Sequence, residues 1–160
     1  MAILGENLRT ARQKKGWTLT YLAARVGYDR ICLSRVEYGT QNLEFHTLCK
    51  LAAVLNVPFA GLFSRSFCDV LREDAASLAY QPDNYLLIFK DNVNRALHSH
   101  GIPQNRIYTE TGLSEAMISR LLKGTQHNPT VQTLCTLTFL LPEPLSQLFT
   151  RTDFPEQEVL

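Results

Sequence analysis

The chain repeats itself once. Thr47, Leu48, Cys49, Leu51, Leu55, Pro58, Leu62 and Phe63 recur as Thr133, Leu134, Cys135, Leu137, Leu141, Pro144, Leu148 and Phe149, at a constant shift of 86 residues. Upstream, Ile3, Asn7, Ala11, Gly16, Gly27, Ser34, Arg35, Gly39, Thr40 and Gln41 recur at a shift of 85, as Ile88, Asn92, Ala96, Gly101, Gly112, Ser119, Arg120, Gly124, Thr125 and Gln126. A single residue inserted between Gln126 and Pro129 accounts for the change of register. A fixed period marks a repeated structural unit. The 160 residues are therefore expected to form two copies of one unit. Each copy of about 65 residues is small but within the range that folds alone.

Composition narrows the class. No apolar run approaches the ~18 residues of a membrane span, and Met1 is not followed by a basic and then apolar segment, so neither membrane insertion nor export is expected. The cysteines Cys32, Cys49, Cys68 and Cys135 show no CxxC spacing. Cys49 and Cys135 hold equivalent repeat positions on an apolar helix face, as small buried thiols do, and a reducing cytoplasm is the expected compartment. Charge is uneven: residues 1–65 carry nine Lys/Arg against four Asp/Glu, whereas residues 85–149 carry five against four. The first copy is therefore the better polyanion binder. His46 and Cys49 share an i, i+3 spacing suited to one turn of metal ligands, but no second pair completes a site. His98 and His100 end a helix, where partial positive charge is favoured. No nucleophile–base arrangement, phosphate-cradling glycine loop or paired catalytic carboxylates stand out, so no enzyme activity and no cofactor or metal are expected.

The unit itself reads as five short helices. Ile3, Leu4, Leu8, Ala11 and Arg12 recur at helical spacing, and Gly16 closes that helix. Thr18 is placed to cap a second helix carrying Leu19, Leu22, Ala23 and Val26, which Gly27 ends. Asp29 can cap a third helix from about Arg30 to Tyr38, with Leu33 and Val36 inward and Gly39 at its stop. After the loop from Thr40 to Glu44, a fourth helix carries Leu48, Leu51, Ala52 and Leu55. Pro58 then precedes a fifth with Phe59, Leu62 and Phe63.

The series Gly16, Thr18, Leu22, Ala23, Gly27, Leu33, Glu37 and Gly39 resembles the helix-turn-helix of lambda-repressor-like (Cro-type, XRE family) DNA-binding domains, and the resemblance covers nearly all of residues 3–63. It implies an all-α fold of two tandem five-helix lambda-repressor-like domains joined by a helical connector. The divisions are a first domain at 1–65, the connector at 66–83, a second domain at 84–150 and a tail at 151–160. One departure is Leu19, where the family usually has a phosphate-contacting Gln; Gln104 restores that Gln in the second copy. There Gly101, Ile107, Gly112, Ser114, Ile118, Leu121 and Gly124 fall in the expected places, and Pro103 replaces the Thr cap. Tyr108 stands in place of Ala23, where a ring would push the second and third helices apart unless it escapes sideways. In this family Arg12 and Glu37 are placed to form a salt bridge; their equivalents, Leu97 and Leu122, are both apolar, as contacting partners would be.

The resemblance implies a transcriptional regulator, a repressor, bound to double-stranded DNA. A helix-turn-helix sets its third helix in the major groove, which makes Arg30, Ile31, Ser34 and Arg35 the candidate base-contacting residues. Arginine can pair bidentately with guanine O6 and N7, and Ile31 can pack on a thymine methyl. Thr18, Thr20, Tyr38, Gln41 and Asn42 are the candidates for phosphate contacts, which position the domain. The second-domain candidates are Gln104, Glu115, Ala116, Ser119, Arg120, Lys123 and Gln126. Glu115 repels phosphate, though it can accept from cytosine N4. Direct reading by this copy and a role in packing or pairing stay open. The alternative function is a protein-interaction module, of antitoxin or inhibitor type, whose helices grip a protein partner.

The connector is too apolar for a plain linker. Phe67, Val70, Leu71 and Leu78 fall near one helical stripe, and Asp83 can cap the next helix. Leu86, Leu87, Ile88 and Phe89 add more apolar surface than one face can use. The helix is expected either to pack on a domain or to bind a partner. Two assemblies fit: a homodimer presenting two first copies, or a pseudo-dimer within one chain. Charge asymmetry and Tyr108 favour a homodimer paired through second copies.

Overall fold

A computed structural model describes residues 2–71 and 79–152. Helices α1 (Ala2–Lys14), α2 (Leu19–Val26), α3 (Arg30–Glu37) and α4 (Phe45–Leu55) lead to a 3-10 turn at Ala60–Phe63 and a short helix α5 (Phe67–Val70). The second half runs through α6 (Tyr85–Ser99), α7 (Gln104–Thr111), α8 (Glu115–Lys123), α9 (Val131–Leu137) and α10 (Leu145–Leu148). Among the described residues the only extended pairing is one antiparallel bridge, Glu44 with Thr130.

The helix starts follow from short polar side chains that satisfy otherwise unpaired first-turn N–H groups. Thr18 accepts from the Tyr21 N–H at 3.1 Å, Asp29 from Cys32 at 2.8 Å and Ser114 from Met117 at 3.2 Å. Two expectations at helix ends are corrected. The fifth element of the first half is a 3-10 turn, not an α-helix, spanning only Ala60–Phe63. Asp83 does not cap α6. Asn84 does, accepting from Leu87 N–H at 3.1 Å, while Asp83 is held by Arg151 at 2.6 Å. The expected connector helix is reduced, in the described part, to Phe67–Val70, and Leu78 lies outside the described residues. Of the apolar run opening α6, Ile88 and Phe89 are buried and Leu87 is exposed.

Each half carries a buried apolar cluster: Leu8, Leu22, Leu33, Leu48 and Leu55 in the first, Val93, Ile107, Ile118 and Leu134 in the second. A repeated buried amide ties the first helix of each half to its end. Asn7 Nδ2 donates to the carbonyls of Leu62 and Ser64 at 2.9 and 2.8 Å. Asn92 Nδ2 does the same with Leu148 and Thr150, at 3.0 and 2.9 Å. The two amides recur because each carbonyl pair would otherwise be costly to leave unpaired.

The two clusters merge. Phe149, 1% exposed, lies 4.9 Å from Phe63, 5.1 Å from Phe59 and 5.0 Å from Phe89, ring centre to ring centre. Phe59 stacks in turn on Tyr85 at 4.3 Å. The halves therefore share one aromatic core instead of lying at the ends of a tether.

Gly5 marks where the halves differ. A Cβ there would meet the Val36 carbonyl and lie 2.7 Å from that of Glu37, so α1 rests directly on the backbone at the end of α3. The position 85 residues on is Lys90, whose side chain rules out the same approach of α6 to α8. Gly5→Ala should lower stability by ~1–3 kcal/mol through overpacking, although alanine favours an exposed helix by ~0.5–1 kcal/mol. Urea titration checks the sign; a raised midpoint would show that α1 can back away.

Candidate nucleic-acid interface

The α2–turn–α3 segment is built from local chemistry. Gly27 ends α2 in the left-handed region, φ +68°, where side chains other than glycine are strained. Its N–H reaches the carbonyls of Ala23 and Ala24, and the Tyr28 N–H closes on Ala23 at 3.0 Å. Asp29 then starts α3 at once, its carboxyl held below the ordinary range by the Cys32 N–H hydrogen bonds. Leu22 and Ala23 of α2 meet Leu33 and Val36 of α3, all buried.

The opposite face of α3 is open. Arg30, Ile31 and Arg35 are exposed, Ile31 at 58%, and Ser34 is half-buried. Their i, i+1, i+4, i+5 spacing puts them on one side of the helix. The carboxylate of Glu37 is turned away from this face. Arg12 Nε and Nη2 hold its two oxygens at 2.6 and 2.8 Å, and Arg12 Nη1 also donates to the Trp17 carbonyl at 2.8 Å. The hydrogen bond to Glu37 raises the pKa of the guanidinium, against the opposing effect of burial. Removing this negative charge from the outer surface leaves the face cationic.

Thr18, Thr20 and Tyr38 are exposed beside this face, Tyr38 at 66% with the Arg9 guanidinium 5.4 Å above its ring. Gln41 is half-buried. Asn42 is exposed, but its Oδ1 accepts from the backbone N–H of Leu43 and of Gln132, at 2.9 and 3.1 Å, which ties it to the second half.

Sequence reasoning missed a cluster along α2. Trp17 and Tyr21 meet edge to face at 5.0 Å, Arg25 lies 5.6 Å from both rings, and Lys15 stands 5.2 Å from Trp17. The signal was the i, i+4 spacing of Tyr21 and Arg25, which brings aromatic and cation together on α2; Trp17 joins them from just before the Thr18 cap. At the equivalent place in α7, Arg106 is neutralised by Glu110 at 2.7 Å.

In the second half, Gln104, Glu115, Ala116, Arg120 and Lys123 are exposed, and Ser119 and Gln126 are half-buried. Tyr108 is 47% exposed, so its ring is not wedged into the helix crossing, while Ile107 and Ile118 are buried. Leu97 and Leu122 are both buried, at 6% exposure each. Cys49 and Cys135, expected as buried thiols, are half-buried; burial pushes the Cys49 thiol up to about 12 and raises that of Cys135. Among the described residues no group of three or more His, Cys, Asp or Glu could hold a metal, and no helix is long and apolar enough to cross a membrane.

No solved structure matches the chain. The HTH-type transcriptional regulator SutR of Escherichia coli is 36% identical over 61 residues, 38% of this chain and 34% of that protein. A Neisseria meningitidis protein described as a hypothetical transcription factor is 39% identical over 56 residues, 35% of this chain and 53% of that protein. The chain thus spans about a third and about half of these relatives' lengths. The helix-turn-helix family model matches residues 8–62, which run from α1 to the 3-10 turn.

Proposed function

We propose that the chain is a sequence-specific double-stranded DNA-binding transcriptional regulator, a cytoplasmic repressor, built as two tandem helix-turn-helix domains at 1–65 and 84–150. The observation that carries this reading is the outward face of α3: Arg30, Ile31 and Arg35 are exposed while Glu37 is withdrawn into an ion pair. The helix-turn-helix match over 8–62 and the regulator names of the two relatives support it; the repressor sense rests on the resemblance to lambda-repressor-like domains. In this reading Arg35 pairs with a guanine edge and Ile31 packs on a thymine methyl. Thr18, Thr20, Tyr38 and Gln41 hold phosphates together with Lys15 and Arg25, and those contacts set register without selecting sequence.

Arg35→Ala should cost ~1–3 kcal/mol at the preferred duplex and relax its sequence preference. Lys15→Ala should weaken binding evenly across sequences and reduce the salt slope by about one. Titrations of selected and scrambled duplexes at several salt concentrations check both. Unchanged affinity and selectivity in the Arg35 variant would remove α3 as the reading element, and salt-insensitive capture of a protein would favour an interaction module instead.

A further inference from the structure

The contacts between the halves come in exchanged pairs. Phe45 N–H donates to the Pro129 carbonyl at 2.9 Å, and Val131 N–H donates to the Leu43 carbonyl at 2.8 Å. His46 N–H donates to Asn128 Oδ1 at 3.0 Å, and Gln132 N–H donates to Asn42 Oδ1 at 3.1 Å. Under the shift of 86 residues, 43, 45, 42 and 46 become 129, 131, 128 and 132, so each bond is the image of its partner. Glu44 bridges Thr130, and Phe63 stacks on Phe149; both pairs match a residue with its own repeat equivalent. An interface in which i meets j and j meets i is the mark of a two-fold axis. Here the axis lies inside one chain.

A rotation that exchanges the halves exchanges α3 with α8. Dimeric helix-turn-helix proteins use such a two-fold to address both halves of an inverted repeat in DNA. We infer that a single copy of this chain occupies a whole two-part DNA site, α3 on one half and α8 on the other, and that the two half-sites differ in sequence. This rests on the DNA-binding reading above. The residues that pair the halves are already engaged, with Phe45 and Phe149 buried, so this surface is not left for a second copy. Of the two assemblies the sequence allows, this is the pseudo-dimer within one chain.

The outer faces of α3 and α8 define how the half-sites relate. Ser34 and Arg35 are matched by Ser119 and Arg120, and in both helices the end is set alike: Thr40 Oγ1 donates to the Arg35 carbonyl at 3.1 Å and Thr125 Oγ1 to that of Arg120 at 3.3 Å. These positions favour the same base pair, with guanine on the contacted strand, in each half. Arg30 and Ile31 are matched by Glu115 and Ala116. Arginine selects guanine, whereas a carboxylate rejects the guanine O6/N7 edge and accepts from cytosine N4. The site is then an imperfect inverted repeat, symmetric where Arg35 and Arg120 read and asymmetric where Arg30 and Glu115 read.

Selection of bound fragments from random duplex DNA, followed by native mass spectrometry of the full chain on the selected site, tests this. The expected result is one chain per duplex, with half-sites about 10–10.5 base pairs apart. Arg120→Ala should weaken binding about ten-fold or more and erase preference in one half only. Glu115→Arg with Ala116→Ile, both at exposed positions, should make the selected site more nearly palindromic. Two chains per selected duplex, or a single half-site indifferent to Arg120→Ala and to Glu115→Arg, would overturn the inference while leaving DNA reading by α3 intact. Absence of any sequence-selective binding would overturn the DNA reading itself, and this inference with it.

Discussion

Arg12→Leu alone should destabilise the protein by ~3–5 kcal/mol, and adding Glu37→Leu should restore most of that loss. Glu37 has a side chain only 4% exposed, and both of its oxygens are held by Arg12. Removing the guanidinium strands a carboxylate beneath α1, far costlier than the net worth of the pair. Removing both charges puts two leucines where the second half already packs Leu97 and Leu122. Recovery should stop short of complete, because the Trp17 carbonyl also loses its Arg12 donor. Urea midpoints of the wild type, both single variants and the double variant close a thermodynamic cycle. If the double variant is no more stable than Arg12→Leu, the pair is not what holds α1 to α3. In addition, α1 sits on the α3 backbone through Gly5, so loosening this joint should also blur the placement of Arg30 and Arg35.

Much of the local architecture was legible because it depends on near neighbours. Thr18, Gly27 and Asp29 specify a helix start, a left-handed stop and another start within a dozen residues, and the structure has each of them. The Arg12–Glu37 contact was also legible: the family resemblance implies it, and the second repeat lacks both charges together, at Leu97 and Leu122. What was not legible depends on partners distant in sequence. Asn42 is a candidate phosphate ligand from its place after α3; only the fold shows that its oxygen also receives the Gln132 N–H. Phe63 and Phe149 were visible as a repeat, yet a repeated aromatic says only that each is buried, not that they bury each other. Gly5 is a third case. A glycine inside a helix reads as a weakness until the carbonyls of Val36 and Glu37 are found against it. The open face of α3 belongs to the legible part, and the pairing of the halves to the rest.

Phe149→Ala puts that pairing to the test. The ring is 1% exposed and touches Phe45, Phe59 and Phe63 of the first half and Phe89 of α6. Truncation should leave a cavity costing ~3–5 kcal/mol, one of the two largest losses expected from a single change here. The location of the loss is more telling than its size. If the halves fold as one body, amide hydrogen exchange should accelerate in α4, around Leu48 and Leu51, as well as in α6 and α10. If they are independent units, α4 should keep its protection while α6 and α10 open. Selective protection of α4 would mean that the shared aromatic core adds contact without cooperativity. The axis between Glu44 and Thr130 would then be too soft to hold two reading helices at a fixed spacing.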